Sequence, residues 1–195
     1  MGTNQDYKNR ALASLDGKWT DAAVVTLIVC AISMCLNIFG SEMMSSLWWL
    51  FCLPLDWGLV VFFLSLARRE HTTYNNLFDG YKDLVRILVT KLLVTLCVCL
   101  GFALLIVPGV ILALMLSQTD FIMKDDKQIG YLDAMQKSID MMKGHKMEYF
   151  WLILSFIGWA ILACLTAGLG FLLFIPYWNT TAAHFYEDLK AEQNG

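Results

Sequence analysis

The feature that most constrains this chain is a run without a charged side chain from Leu92 to Thr119, LLVTLCVCLGFALLIVPGVILALMLSQT. A helix needs about 20 residues to cross roughly 30 Å of hydrocarbon. Similar apolar runs occupy 22–41, 43–67 and 149–185. Hydrophobic residues make up 58% of the chain and charged residues only 16%, which is more apolar surface than one soluble core of this length can bury. The sequence therefore predicts a membrane protein with several crossings.

The basic residues decide how many crossings to expect. Three precede the first run, five lie in 68–91, five lie in 124–146, and Lys190 follows the last run. Four crossings would place the 124–146 cluster on the opposite side of the bilayer from the other clusters. Membrane proteins keep Lys and Arg preferentially on the cytoplasmic side, so this arrangement is disfavoured.

Two extra reversals of the chain bring all basic residues to one side. Pro108 and Gly109 favour a turn at 106–109, because proline removes a helix hydrogen bond and glycine tolerates a tight reversal. Gly168 and Gly170 favour a second turn near 166–170. Each long run then forms two crossings, and Arg86 and Lys91 are expected to extend toward the lipid headgroups.

The resulting prediction is an all-α, polytopic membrane protein with six transmembrane helices arranged as three hairpins. Both termini lie on the cytoplasmic side of the cytoplasmic membrane, and residues 1–195 form a single membrane domain. The polar first 21 residues do not resemble a cleavable signal. The lipid bilayer is the expected partner. A net charge of −3 argues against nucleic acid as a second partner.

The chain also shows an imperfect threefold repeat. Gly17, Gly80 and Gly144 are spaced 63 and 64 residues apart, and each follows a short stretch that we interpret as a cytoplasmic amphipathic elbow helix. A glycine just past a helix end suits a left-handed C-cap. One proline falls in or at the start of each returning half, although their offsets differ. The repeat units are approximately 7–67, 72–123 and 128–189, and the three prolines are Pro54, Pro108 and Pro176.

The segments SLDGKW, LLIVPG, AMQKS followed by MKGHK, and LSFIGWAIL before FIPYWNTTAAHFY resemble a bacterial integral membrane family, catalogued as domain of unknown function 975. The resemblance covers nearly the whole chain. The layout of this family is similar to that of the membrane domain fused to some glycerophosphodiester phosphodiesterases. The resemblance implies six helices in the cytoplasmic membrane. It implies no known activity and no catalytic residues.

Asp56 is the acidic residue that lies well inside an apolar run. A carboxylate there is costly and by default indicates a functional site. The structural alternative is that Asp56 accepts protons from the backbone near Pro54 or from the Trp57 indole. Its candidate polar neighbours are Asn37, Asn179, Thr180, Thr181 and His184. Asp56 and the last four of these form a candidate intramembrane polar site. Such Thr side chains also commonly bond to their own helix.

Two further surfaces each permit two interpretations. Ala160, Cys164 and Gly168 recur every four residues, which favours close helix packing, either within their own hairpin or between two copies of the chain. The segment 124–146 is rich in Lys and Met. It is interpreted as an interfacial helix whose apolar face rests on lipid, or as an adaptable docking surface.

No sequence signature of an enzyme, metal site or cofactor site occurs. The prediction is a non-enzymatic helical bundle that binds a membrane protein partner or forms a homodimer. The alternative is a permeation protein that uses Asp56 and the Asn179–Thr181 cluster, since proline-broken helices build transporter sites. Intramembrane catalysis is a weaker third hypothesis, because Asp56 would need a second catalytic group.

Overall fold

The computed structural model describes residues 2–39, 42–70, 77, 80–166 and 168–194, and of 35–39, 42–51 and 194 only the backbone. Over these residues the chain is all-α, as predicted, and contains no strand. The ten helices are α1 Asn4–Leu15, α2 Trp19–Phe39, α3 Glu42–Ala67, α4 Leu84–Leu104, α5 Ile106–Leu116, α6 Thr119–Asp125, α7 Tyr131–Met141, α8 Lys146–Leu154, α9 Ile157–Leu165 and α10 Phe171–Asn194.

The long charge-free run folds into two helices, as predicted. The chain reverses at Leu105, which is extended between α4 and α5, so the break precedes the predicted 106–109 turn. Pro108 lies instead in the first turn of α5, where a missing backbone N–H costs no helix hydrogen bond. Gly109 packs on Gly101 of α4, and a Cβ on Gly101 would lie 2.9 Å from the Gly109 Cα. Glycine is thus required there for close approach of two helices.

The α4–α5–α6 hairpin stays antiparallel down to its open end. Lys91 Nζ lies 2.5 Å from the Asp120 carboxylate, and Arg86 donates to the Met123 carbonyl at 2.9 Å and the Asp126 carbonyl at 2.7 Å. Arg86 therefore covers the last carbonyls of α6, which have no partner within the helix. The expectation that Arg86 and Lys91 extend to lipid headgroups is wrong, because both side chains are used inside the hairpin.

The last apolar run also folds back on itself. Gly168 has a φ of +89°, and a Cβ on Gly170 would lie 2.6 Å from the Ala163 Cα. Tilted aromatic pairs continue the alignment, with Phe156 5.0 Å from Tyr177 and Tyr149 4.8 Å from Phe185 between ring centroids. The turn predicted near 166–170 is present, although residue 167 lies outside the described residues.

The first hairpin joins α2 and α3. Ser33 Oγ and Cys52 Sγ lie 4.0 Å apart, and α10 packs against both helices. Helix α2 ends at Phe39 and α3 begins at Glu42, and residues 40 and 41 between them lie outside the described residues. Pro54 in α3 and Pro176 in α10 both lie inside helices. The packing thus places one proline-containing helix of the first hairpin against one of the last.

Three helical segments are long and apolar enough to cross a membrane: Leu84–Leu104, Ile106–Asp125 and Lys146–Leu165. A fourth arises if α1 and α2 form one span bent by 94°, and the described apolar part of α3, Cys52–Ala67, is shorter than a span. The chain is therefore consistent with a membrane protein. Six crossings remain a prediction.

The buried core lies at one end of the bundle. Phe62, Phe63 and Phe185 are at most 1% exposed, and Phe121 stacks on Tyr186 with ring centroids 5.1 Å apart. These residues come from the helix ends next to the basic segments 68–91 and 124–146, so we call this end the basic end. The opposite hairpin tips expose large apolar side chains. Those tips are suited to contact with hydrocarbon.

Two of the three predicted elbows adopt the expected conformation. Gly17 follows α1 with a φ of +73°, and Gly144 follows α7 with a φ of +90°, both in the left-handed region that favours glycine. Gly80 does not have a positive φ. A Cβ there would lie 2.5 Å from the Pro54 carbonyl oxygen, so close approach to α3 requires the glycine. Most of the preceding segment lies outside the described residues, and the threefold repeat stays a prediction.

The amphipathic helix α7 packs on protein. Met141 and Met142 are 3% and 0% exposed, and Ser138 Oγ donates to the Met115 carbonyl at 2.7 Å. The interpretation that this apolar face rests on lipid is therefore wrong, because the α5–α6 junction already covers it. The exposed apolar residues of α7 are at its start, Tyr131 and Leu132.

Helix α1 packs against α10. A capping box begins it, in which Asp6 N donates to Thr3 Oγ1 at 3.3 Å and Thr3 N donates to the Asp6 carboxylate at 2.8 Å. Its buried face then contacts α10, with Tyr7 5.4 Å from Phe185 between ring centroids. The amino-terminal elbow helix is therefore part of the packed basic end.

Candidate functional site

Asp56 lies on α3, two residues after Pro54, and faces a groove of about 700 Å³. The groove runs between α2, α3 and the segment 168–175 that starts α10. Apart from Asp56, Thr26 and Ser33, its walls are formed mainly by apolar side chains, among them Leu27, Met34, Leu59, Leu169, Phe171 and Leu172. We call this space the Asp56 groove. It has the volume of a ligand site and an almost entirely apolar lining.

Asp56 is exposed to the groove and forms no hydrogen bond or ion pair with the residues whose side chains are described. The neighbouring Trp57 is 6% exposed, and its indole N–H is buried without a partner. The structural alternative in which Trp57 donates to Asp56 is therefore not realised. Lys91 and Asp120 act on Asp56 electrostatically, but they pair with each other. Among the described side chains, the Asp56 carboxylate thus has no partner.

The other predicted members of the polar site do not join Asp56. Asn179 Nδ2 donates to the Ile175 carbonyl at 2.9 Å, and Thr181 Oγ1 donates to the Tyr177 carbonyl at 2.7 Å, both one turn back on α10. Thr180 is fully buried, and its hydroxyl has no partner among the described residues. None of the three lines the Asp56 groove. This helical back-bonding was the structural alternative for such residues.

His184 has a packing role at the basic end. Its Nε2 lies 2.9 Å from Ser14 Oγ of α1, and the side chains of both residues are buried. One turn further along α10, Asp188 accepts from Arg10 of α1 at 2.8 Å. The two contacts attach α1 to α10, and they separate His184 from the Asp56 groove.

Sequence reasoning missed an ionic cluster at the basic end. Arg68, just after α3, lies 2.7 Å from the Asp125 carboxylate of α6 and 2.6 Å from the Glu187 carboxylate of α10. Tyr186 donates its hydroxyl to Asp125 at 2.8 Å, and Lys190 donates to it at 2.5 Å. Because the Arg68 side chain is 19% exposed and that of Asp125 is 15% exposed, these charge-assisted bonds are partly shielded from water. The cluster connects the end of α3 with α6 and α10.

The predicted small-residue ridge is also absent as a helical stripe. Helix α9 ends at Leu165, so Gly168 lies in the following turn with a left-handed φ. Close packing inside the hairpin is made instead by Ala163 and Gly170. In the described part of the chain, no three His, Cys, Asp or Glu side chains lie close enough to hold a metal ion.

A search for known families matches residues 102–193 to one described as Protein of unknown function (DUF975). No curated protein and no solved structure matches the chain. The match includes the tip of the α4–α5 hairpin and most of α10, but it does not reach Asp56. It is narrower than the resemblance drawn from motifs, and the similarity in layout to glycerophosphodiester phosphodiesterase membrane domains stays a prediction. Over residues 102–193, the chain is similar to the DUF975 family.

Proposed function

We propose that this protein is a non-enzymatic bundle of six crossings in the cytoplasmic membrane, and that it binds a transmembrane segment of a partner protein in the Asp56 groove. The partner segment carries a basic or hydrogen-bond-donating side chain at the depth of Asp56. A binding role of this kind needs no catalytic group. It needs a lateral opening, an apolar surface and one polar contact that fixes register.

The membrane arrangement is supported by the antiparallel hairpins. The apolar segments α4, α5–α6 and α8–α9 each have the length of a crossing. Helix α3 packs against α4 and α6, α10 packs against α9, and α2 packs against α3 and α10, which is compatible with three hairpins. The basic segments then share the end that holds the core, which satisfies the preference of Lys and Arg for the cytoplasmic side.

The observation that carries the binding role is the Asp56 carboxylate. It lies in a groove of about 700 Å³ and is unpaired with any described side chain. A carboxylate placed in hydrocarbon costs about 3 kcal/mol at the centre of a helix. A donor on a partner segment would offset this cost, because an interhelical hydrogen bond in the membrane contributes about 0.6–2 kcal/mol.

Permeation is the second candidate function. The Lys91–Asp120 pair lies within electrostatic range of Asp56, and Pro54 and Pro176 lie inside the helices beside the groove. Charged groups and proline-broken helices together are typical of transport sites. One observation argues against permeation: Asn179, Thr180 and Thr181 do not line the groove. The described residues therefore offer no continuous polar path from Asp56.

Photocrosslinking in intact membranes tests the binding role. A photoreactive residue at Met34, which lines the groove and is 65% exposed, is compared with one at Leu96 of α4, which is 53% exposed but outside the groove. We expect Met34 to yield one discrete protein adduct, identified by mass spectrometry, in which a donor-bearing transmembrane segment is attached. Asp56→Asn should reduce that adduct, while Leu96 should yield none.

An adduct from Met34 that persists undiminished in Asp56→Asn would contradict the role given to the carboxylate. Equal adducts from Met34 and Leu96 would show contact without a specific groove. Purified protein in proteoliposomes provides the separate test for permeation. A solute flux that requires Asp56 would replace the binding role with transport.

A further inference from the structure

A second cavity, of about 320 Å³, lies between the α1–α2 elbow and the last hairpin. Leu12 of α1 and Trp19 of α2 form one wall, and Trp159, Leu162 and Phe174 form part of the other. We call it the elbow cavity. Its volume falls at the lower end of the range for ligand sites. Because its lining is apolar and its two tryptophans are suited to the membrane interface, the matching occupant is a hydrocarbon chain.

Two lysines of the α1–α2 elbow, which forms one wall of this cavity, have no acidic partner among the described residues. Lys8 precedes Leu12 by one helical turn and therefore shares its face of α1, while Lys18 directly precedes Trp19. Lys8 Nζ donates to the Ser155 carbonyl at 3.1 Å and lies 4.7 Å from the Phe156 ring centroid. Neither lysine forms an ion pair with a described carboxylate, whereas nearby Arg10 is paired with Asp188.

We propose that the elbow cavity binds one anionic phospholipid, with an acyl chain in the cavity and the phosphate held by Lys8 and Lys18. A lysine ammonium is a compact charge suited to phosphate, and anionic lipids are concentrated in the cytoplasmic leaflet that the basic end faces. A free phosphate would leave the apolar cavity empty, and a neutral lipid would leave both lysines without a counter-charge. The phospholipid satisfies both features.

The surroundings of Lys8 agree with an anionic ligand. Burial lowers the pKa of Lys8, because part of its hydration is lost against the last hairpin. A phosphate nearby would favour the charged ammonium and offset that loss. The carbonyl of Ser155 uses one of the three ammonium protons, so two remain for phosphate oxygens.

Native mass spectrometry of the detergent-purified full chain tests the proposal. The protein is mixed with phosphatidylglycerol or phosphatidylcholine of identical acyl chains. We expect one retained lipid and a preference of roughly tenfold for phosphatidylglycerol, since each lysine contributes separately to anionic-lipid binding. The double variant Lys8→Gln/Lys18→Gln should lose the preference, and Lys8→Arg/Lys18→Arg should retain it. Lys127→Gln/Lys137→Gln removes two exposed lysines elsewhere and should leave it unchanged.

Two further measurements test the acyl chain and the source of the anion. Brominated chains of phosphatidylglycerol should quench tryptophan fluorescence less in Trp19→Phe/Trp159→Phe than in the wild-type chain, because these two rings line the cavity. Glycerol 3-phosphate should not displace the lipid. Equal retention of the two lipids, loss of preference in the Lys127/Lys137 control, unchanged quenching, or displacement by glycerol 3-phosphate would each overturn the proposal.

Discussion

Two glycines of this bundle, Gly101 and Gly158, differ in the space that a side chain would find around them. At Gly101 a Cβ would lie 2.9 Å from the Gly109 backbone and 2.8 Å from Leu112 Cδ1, so the two helices of the hairpin could not approach as they do. At Gly158, inside α9, nothing lies within 4 Å of the added atom. The same residue type is therefore a packing requirement at one site and only a helix-weakening residue at the other.

Gly101→Ala is expected to destabilise the protein by about 1–3 kcal/mol, which is the usual cost of overpacking. Gly158→Ala should stabilise it by up to about 1 kcal/mol, because alanine favours the helix and meets no neighbour. Chemical unfolding in detergent micelles measures both. If both variants shift stability in the same direction, the close contact of α4 and α5 is not as described.

Asp56 differs from its neighbour Asp120 in having no partner among the described side chains. Asp56→Leu is expected to raise the free energy of unfolding by about 1–3 kcal/mol, because it removes an uncompensated carboxylate from the membrane interior. Asp120→Leu should lower it by a similar amount, since it leaves Lys91 half-buried and unpaired. Thermal unfolding of the two variants provides the comparison, and a loss of stability in Asp56→Leu would indicate a structural rather than a binding carboxylate.

Among the elements, α3 and α10 contribute the most residues to the packed core, and the short helices at the basic end pack against them. Helix α1 is attached to α10 through Ser14–His184 and Arg10–Asp188, and α7 inserts its apolar face against the α5–α6 junction. The hairpin tips lie outside this core and expose apolar side chains. The elbow helices therefore stabilise the end from which the hairpins extend.

For α7, Met142→Ala is expected to cost about 2–5 kcal/mol, the range for truncating a fully buried aliphatic side chain. Leu132→Ala, on the exposed face, should change stability by no more than about 0.5 kcal/mol. Denaturant unfolding of both variants under one detergent condition measures the difference. Comparable effects of the two substitutions would mean that α7 does not pack by the face described.

At the scale of the whole molecule, an ionic cluster connects the end of α3 with α6 and α10. Arg68 forms ion pairs with carboxylates of α6 and α10. The α6 carboxylate, Asp125, also contacts Tyr186 and Lys190. The connection lies at the basic end, while the Asp56 groove opens between hairpins away from it. This separation allows the bundle to remain assembled while a lateral groove stays available to a partner.

The proposed topology predicts which side of the membrane each end faces. Lys137→Cys should react with a membrane-impermeant maleimide only after cells are permeabilised, because α7 lies on the cytoplasmic side. Leu169→Cys, at a hairpin tip that is 72% exposed, should react in intact cells. The wild-type chain is the control for native cysteines. Labelling of Lys137→Cys in intact cells would contradict the six-crossing arrangement.

Local sequence patterns were sufficient to predict an all-α chain of membrane type and the approximate positions of two reversals. Long charge-free runs favour a membrane environment, and Pro108, Gly168 and Gly170 lie within a few residues of the reversals, because these effects are local to neighbouring residues. The sequence also identified Asp56 and the elbows at Gly17 and Gly144.

Which side chains meet became clear from the packing of the helices alone. It paired Lys91 with Asp120, gathered Arg68, Asp125 and Glu187, and left Asp56 apart from the Asn179–Thr181 cluster. These outcomes depend on the register and rotation of helices that are distant along the chain. Periodicity shows which residues share a face of one helix, but it does not show which other helix that face contacts.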